Sequence, residues 1–141
     1  MLDSSTLIAY HSPHEATHTL AHHLLRRIEH DHDPLHGYYS VMSAMELLIR
    51  PIRTGLQEFT FMHTFLSAYP NLTALPMDLT VALQAANVRA TTNIRTPDAV
   101  IIASALLAGC EAIVCNDQQW IGRLRGLFPQ FSWIYLGQFA P

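Results

Sequence analysis

The sequence predicts an α/β fold in which helices cover both faces of a central parallel sheet. Short apolar segments alternate along the chain with longer segments of helical periodicity, which is typical of repeated strand–helix units. The chain has 141 residues, of which 50% are hydrophobic and only 13% are charged, enough to bury a sizeable core. No repeat, linker or low-complexity segment interrupts it, so we expect a single domain over residues 1–141.

The first half of the chain predicts the first strand of the sheet and a helix, followed by a second strand and two more helices. "MLD" is the end of a strand, and a helix at 14–30 places four apolar residues on one stripe: Ala16, Leu20, Leu24 and Ile28. The segment "HDHDPLHG" ends that helix. A strand at 38–43 then leads directly into a helix with its own expected core face: Met45, Leu48, Ile49 and Ile52. A further helix near 56–68 ends before "YPN".

The second half predicts three more strands and three more helices. "LTALPMD" is a strand, and Asp78 caps the next helix, whose small and apolar residues are Val81, Ala82, Ala85, Ala86 and Val88. In "RTPDAVIIASALLAG", Thr96 is the expected N-cap and Asp98 lies in the first turn of an apolar helix. The strand "AIVC", a short helix near 118–125 and a last strand in "FSWIYL" follow.

Composition excludes several classes of function. All eight basic residues are arginine, so a P-loop and Schiff-base catalysis, which both need a lysine, are excluded. The formal net charge is −3, which provides no basic field for nonspecific nucleic-acid binding. The chain has neither an apolar run of about 18 residues nor a signal-peptide pattern, so we expect no membrane span. Cys110 and Cys115 fit buried thiols in a reducing compartment, which favours a cytoplasmic protein.

Four acidic residues are expected to meet at one edge of the predicted sheet. Asp3, Glu46 and Asp117 follow predicted strands, and Asp98 opens a helix that can face the same edge. Each acid has a structural alternative, because Glu46 can pair with Arg50 along a helix face and Asp3 and Asp117 can cap helices. Four carboxylates together would repel one another, and a divalent cation is the usual remedy.

The segments "LDSSTLIAY", "SAMELL", "TPDAVIIASALLAG" and "AIVCND", in this order, resemble the PIN domain (PilT N-terminus) family, and within it the VapC-type toxins. The resemblance implies a PIN-like (Rossmann-like) three-layer sandwich with a central parallel sheet flanked by helices. It implies an endoribonuclease that uses Mg2+ or Mn2+ to cleave RNA and that acts as the toxin of a type II toxin–antitoxin pair, inhibited by a small antitoxin protein. It also implies pairing of two copies through helices.

The resemblance also assigns roles to individual residues. The family's acidic positions match Asp3, Glu46, Asp98 and Asp117. We expect three of them to hold metal (Asp3, Asp98 and Asp117) and Glu46 to orient or deprotonate the attacking water. Supporting polar positions fall on Ser5 and Ser43. Where many members carry Thr or Ser, two residues before the last Asp, this chain has Cys115, and Asn116 is the polar neighbour that could substitute.

Other assignments come from the residues themselves. Arg50 and Arg95 are candidates for contacting the RNA. The helix near 56–68 carries the apolar patch expected to mediate the homodimer: Phe59, Phe61, Met62 and Phe65. His14, His18 and His22 repeat at a spacing that can chelate Zn2+ or Ni2+, although a solvated polar helix face is the simpler interpretation. Two alternatives to the toxin remain, a PIN nuclease that is not a toxin and a catalytically inactive PIN-like binding module.

Overall fold

The computed structural model describes residues 1–30 and 35–140. In that part of the chain, helices and strands alternate as the sequence predicts. The helices are α1 (Ser4–His11), α2 (His18–Glu29), α3 (Val41–Thr54), α4 (Leu56–Ala68), α5 (Leu79–Thr92), α6 (Thr96–Leu107) and α7 (Gln118–Leu124), and a 3-10 turn covers Leu136–Phe139. The strands are β1 (Gly37–Ser40), β2 (Leu72–Leu75), β3 (Ala112–Cys115) and β4 (Ser132–Tyr135).

The strands are parallel, and residues 1–3 join two strand pairs. β1 pairs with β2, and β3 pairs with β4. Between them, the Leu2 N–H donates to the Tyr38 carbonyl at 2.7 Å, and the Asp3 N–H donates to the Val114 carbonyl at 2.9 Å. The spatial order is therefore β2, β1, residues 1–3, β3, β4, and the direction in which strands are added reverses between residues 1–3 and β3. Ligands of open parallel sheets bind at such a reversal point.

Two hydrophobic clusters cover the two faces of the sheet. Successive residues of the strands point to opposite faces, so Leu2 and Val114 belong to one cluster while Met1, Ile113 and Cys115 belong to the other. Helices α1 to α4 supply the first cluster, and α5 to α7 supply the second. This arrangement confirms the predicted three-layer α/β fold.

The first predicted helix begins too early, because α2 starts at His18 rather than at 14, and a separate helix, α1, precedes it. The Asp3 carboxylate accepts a hydrogen bond from the Ser5 N–H at 3.1 Å and caps α1, which the sequence suggested only as a capping alternative. A turn through Pro13 separates α1 from α2. The core face of α2 is Ala21, Leu25 and Ile28, whereas Leu20 and Leu24 are half-buried and Ala16 is exposed. The predicted break at 30–37 lies partly outside the described residues.

The predicted core face of α3 is also wrong. The Ser40 hydroxyl accepts a hydrogen bond from the Met42 N–H at 3.3 Å, so the helix begins at Val41 and the strand is shorter than predicted. Ser43, Leu47 and Pro51 are the buried residues, because α1 and α4 pack against that side. Three residues of the predicted core face are exposed instead, namely Met45 (53%), Ile49 (45%) and Ile52 (64%), and Leu48 is half-buried. We call Met45, Ile49 and Ile52 the apolar stripe of α3.

The remaining elements agree with the predictions to within a few residues. Asp78 caps α5 by accepting a hydrogen bond from the Val81 N–H at 2.9 Å, and Asn93, with φ +55°, ends that helix. The helix α6 begins at Thr96, so Arg95 rather than Thr96 occupies the N-cap position. Within the described residues, no helix is both long enough and apolar enough to span a membrane.

Candidate active site

The topology explains why the predicted acids approach one another. Asp3 and Asp117 lie just beyond the carboxyl ends of the first strand and β3, the two strands that flank the reversal point. The helix α6 leads back to β3 and so runs antiparallel to the strands, which brings its first turn, with Asp98, to the same edge. Glu46 lies in the second turn of α3, which follows β1 directly.

Asp3 is a buried carboxylate fixed by a polar chain. Its Oδ2 accepts hydrogen bonds from both the Ser5 N–H (3.1 Å) and the Ser5 hydroxyl (2.7 Å). The same hydroxyl accepts a hydrogen bond from the Asn116 N–H at 2.8 Å, which ties α1 to the end of β3. Burial raises the pKa of Asp3, the Ser5 bonds oppose this shift, and the charge of Glu46 adds to it. The structure thus brings together Asp3, Ser5 and Asn116, as predicted.

Asp98 is 4% exposed and is held by two neighbouring side chains. The Arg95 guanidinium donates to both carboxylate oxygens, from Nε to Oδ2 at 3.1 Å and from Nη2 to Oδ1 at 3.2 Å. The Trp120 indole N–H donates to Oδ1 at 2.9 Å. The sequence offered the three-residue spacing of Arg95 and Asp98 as a signal for the first contact. It offered no signal for the contact with Trp120.

The pKa of Arg95 indicates that other acidic side chains lie near it. Its pKa is raised above the ordinary value, first by the hydrogen bonds to Asp98 and by the charge of that residue, and then by the charges of Glu46 and Asp117. The Arg95 side chain is 67% exposed, so it reaches the buried Asp98 carboxylate from the surface of the molecule. Three of the four predicted carboxylates therefore act on this one guanidinium.

Asp117 is exposed and caps α7, because its Oδ1 accepts a hydrogen bond from the Trp120 N–H at 3.0 Å. The Cys115 thiol donates to the backbone carbonyl of Asp117 at 3.3 Å. Burial raises the pKa of Cys115 to about 12, and the charges of Asp3 and Asp117 add to this shift. Cys115 is therefore a neutral thiol at neutral pH, a poor metal ligand.

Glu46, Arg50 and Ser43 lie on one side of α3, at spacings of three and four residues, but they differ in burial. Glu46 is exposed, and its charge acts on Asp3 and Arg95. Within the described residues, Glu46 forms no ion pair with Arg50, so that structural alternative is not realised. Ser43 is fully buried, and its hydroxyl has no hydrogen-bond partner in the described part of the chain. Among the described residues, Ser43 therefore donates to none of the four carboxylates.

The donor chemistry suits a hard divalent cation, although the side chains are not arranged around one. Within residues 1–30 and 35–140, no three His, Cys, Asp or Glu side chains are placed to hold a metal ion. Asp98 is engaged by Arg95, while Asp3 and Asp117 accept hydrogen bonds from their own helices. Carboxylate oxygens are nevertheless the ligands that Mg2+ and Mn2+ prefer. Because the Arg95 side chain is largely exposed, it can leave Asp98 when a metal binds there.

The histidines do not form a three-ligand cluster in the described residues. His14 precedes α2 and is exposed, so only His18 and His22 share that helix face. The His18 Nδ1 lies 2.9 Å from the Ala9 carbonyl, which can only accept, so Nδ1 carries the proton. His18 therefore helps to fasten α2 to α1.

A groove of about 640 Å3 runs beside Glu46, between the end of α1 and the helices α3 and α4. Residues of mixed character line it, including Ile8, His11, Glu46, Arg50, Phe61 and Met62. We call it the α1/α3/α4 groove. The apolar patch predicted on α4 is partly wrong, because Phe61 is exposed and Phe59 half-buried, whereas Met62 and Phe65 are buried in the core.

Comparison with known proteins identifies the family. The PIN domain family matches residues 1–126, most of the chain, and the protein belongs to this family. PIN domains are generally nucleases that use divalent metals. Among the solved structures, a chain of a toxin–antitoxin complex from Klebsiella pneumoniae is similar in fold, with a TM-score of 0.69, 18% identity and coverage of 93% of each chain. No protein with a curated description matches this chain.

Proposed function

We propose that this chain is a single-domain endoribonuclease that uses Mg2+ or Mn2+, and that it is the toxin of a type II toxin–antitoxin pair in the cytoplasm. The observation that carries the proposal is the position of Asp3 and Asp117 just beyond the two strands that flank the reversal point, with the buried carboxylate of Asp98 in the first turn of α6. An open parallel sheet binds ligands at its reversal point, and PIN domains, the family to which this chain belongs, are generally nucleases.

Each residue has a distinct role in this proposal. Asp3, Asp98 and Asp117 would hold the cation, which when bound makes a water more acidic and offsets the charge that develops on the phosphate. Glu46 would orient the attacking water and accept its proton, because it is exposed and, unlike Asp117, caps no helix. Ser5 and Asn116 keep Asp3 in place, and Trp120 does the same for Asp98. The cation, rather than a lysine, would neutralise the phosphate charge, since the chain has no lysine.

The proposal is tested by cleavage of a structured RNA in Mn2+ or Mg2+ and in EDTA. We expect cleavage with either cation and none with chelator. Glu46→Gln should lower the cleavage rate by about 10²-fold or more, the usual contribution of a general base. Glu111→Gln, at an exposed position just before β3, is the matched control and should cleave at the parental rate.

Two outcomes would contradict the proposal. Cleavage that survives EDTA would exclude the metal mechanism. Binding of RNA without cleavage in any divalent cation would favour the inactive PIN-like module.

The α1/α3/α4 groove supports a protein partner beside the acids. It combines apolar side chains with Glu46 and Arg50 in one depression, a mixture that suits an amphipathic helix of a small antitoxin. Co-expression with the adjacent reading frames tests this part of the proposal: a toxin should co-purify with a small neighbour that suppresses cleavage. Cleavage activity with no such partner would indicate a PIN nuclease that is not a toxin.

The apolar stripe of α3 supports a second partner, another copy of this chain. Met45, Ile49 and Ile52 are exposed large apolar side chains on one helix, and exposed apolar patches commonly mark interfaces. This surface replaces the α4 patch as the proposed centre of the homodimer, because Met62 and Phe65 are buried.

A further inference from the structure

Arg95 occupies the position at Asp98 where the proposed cation would bind. Its Nε and Nη2 atoms donate to both oxygens of this buried carboxylate, and the two distances, 3.1 and 3.2 Å, describe a two-pronged ion pair. We propose that Arg95 competes with the divalent cation for Asp98 and that, once displaced, it binds the phosphate of the RNA. This inference rests on the proposed function and adds a substrate-binding residue that is controlled by metal.

The competition follows from the number of oxygens that Asp98 offers. The Trp120 indole N–H already donates to Oδ1 at 2.9 Å, and Arg95 donates to both oxygens. Three of the four lone-pair positions of this carboxylate are therefore in use, so a cation would bind either at the remaining position on Oδ2, beside the guanidinium, or in place of an Arg95 hydrogen bond. It would also repel the guanidinium, since the two positive charges would lie on one carboxylate. Trp120 is neutral and buried, so it can keep holding Asp98 in either state.

The displaced guanidinium would stay near the substrate. Arg95 lies at the N-cap of α6, and its side chain is largely exposed, so it can turn away from Asp98 without disturbing the core. The charges of Glu46 and Asp117 also act on it and would keep it at the edge of the acidic cluster. A guanidinium binds phosphate with two parallel hydrogen bonds, as it binds a carboxylate. Arg95 would thus exchange the two carboxylate oxygens of Asp98 for two phosphate oxygens of the RNA.

The first test measures Mn2+ binding by calorimetry without RNA. If Arg95 competes with the metal, Arg95→Gln should bind Mn2+ about three- to tenfold more tightly than the parent. The control is Arg125→Gln, an equal charge change at the exposed C-cap of α7, which should alter Mn2+ affinity less than twofold. Equal or weaker Mn2+ binding by Arg95→Gln would overturn the inference while leaving the proposed metal site intact. Absence of Mn2+ binding by the parent would overturn both.

The second test measures RNA binding by fluorescence anisotropy in a Glu46→Gln background, which we expect to preserve the RNA. With Mn2+ present, adding Arg95→Gln should weaken binding at least threefold, because the released guanidinium is lost. In EDTA, where Arg95 remains on Asp98, the same change should weaken binding no more than Arg125→Gln does. An equal loss of RNA affinity with and without Mn2+ would overturn the release of Arg95 by metal.

Discussion

At the scale of single residues, the Arg95–Asp98 pair changes the expected behaviour of a metal-free variant. From the sequence alone, removing one of four like charges should leave the protein at least as stable in EDTA. In the structure, however, Arg95 compensates the negative charge of Asp98. The substitution Asp98→Asn therefore removes an attractive ion pair rather than a repulsion between like charges. We expect a loss of about 0.5–1 kcal/mol in the free energy of unfolding, limited by the exposure of Arg95.

Urea unfolding in EDTA and in Mn2+ measures this effect. Asp98→Asn should also lose most of the stabilisation that Mn2+ gives to the parent, because a ligand of the folded state stabilises by mass action. Asp78→Asn is the control, since asparagine is as good an N-cap as aspartate and α5 begins away from the acids. A rise in the metal-free stability of Asp98→Asn would show that repulsion among the acids outweighs the Arg95 pair.

His11 is predicted to make folding sensitive to acid. Burial, with the nearby His22 and His18, lowers its pKa to about 4, and its buried Nε2 has no hydrogen-bond partner among the described residues. Between pH 6.5 and 4 the unfolded chain therefore binds more protons at this residue, so stability falls as the pH falls through that range. His11→Leu should reduce the loss between pH 6.5 and 4.5 by about 1–2 kcal/mol, allowing for partial exposure.

Urea unfolding at pH 7, 6, 5 and 4.5 measures the pH dependence. His14→Leu, at an exposed position, controls for the loss of one histidine. If His11→Leu and the parent lose stability in parallel over this range, the acid sensitivity must come from other groups.

At the scale of elements, the start of β1 leaves little room for a side chain. A Cβ at Gly37 would lie 2.9 Å from Leu72 Cδ1 and 3.1 Å from Ile28 Cδ1, both in the core. We therefore expect Gly37→Ala to lower the free energy of unfolding by about 1 kcal/mol through overpacking. Gly122, inside α7, has open space at its Cβ position, so Gly122→Ala should raise that free energy by about 0.5–1 kcal/mol. Urea unfolding checks both values, and equal effects of the two substitutions would contradict the packing argument.

Local signals predicted most elements but not every helix face. Breaks such as "YPN" and the caps at Asp78 and Asp117 mark element ends within a few residues of where they fall. The helix α3, in contrast, carries apolar residues on two sides, and periodicity alone does not say which side meets the sheet. That choice depends on the start of the helix at Val41 and on packing by α1 and α4.

The same distinction applies to the candidate site. The positions of Asp3, Asp98 and Asp117 follow from strand ends and a helix start, which the sequence encodes locally. The contact between Trp120 and Asp98 joins residues 22 positions apart and depends on the approach of α7 to α6. No local pattern carries that information.

At the scale of the whole molecule, we predict a homodimer formed through the apolar stripe of α3. Light scattering at micromolar concentration should give a mass near twice the 15.8 kDa of one chain. Ile49→Lys should reduce it to about one chain, because burying an unpaired ammonium in the interface is costly. Phe61→Ser, in the α1/α3/α4 groove, should remain dimeric.

Two results would contradict this prediction. A parent mass of one chain would exclude the dimer at that concentration, and a dimeric Ile49→Lys variant would move the interface away from α3.

Because α3 is exposed on two sides, dimer formation would affect how tightly a partner binds in the groove. Leu47, Arg50 and Pro51 line the α1/α3/α4 groove, while the apolar stripe lies on the opposite side of the same helix. Pairing through the stripe would therefore leave both grooves of the dimer open and at a fixed separation. A partner with two linked binding segments would then engage the second groove at a high effective concentration. Its avidity would exceed the affinity of either segment, and would disappear when Ile49→Lys separates the two chains.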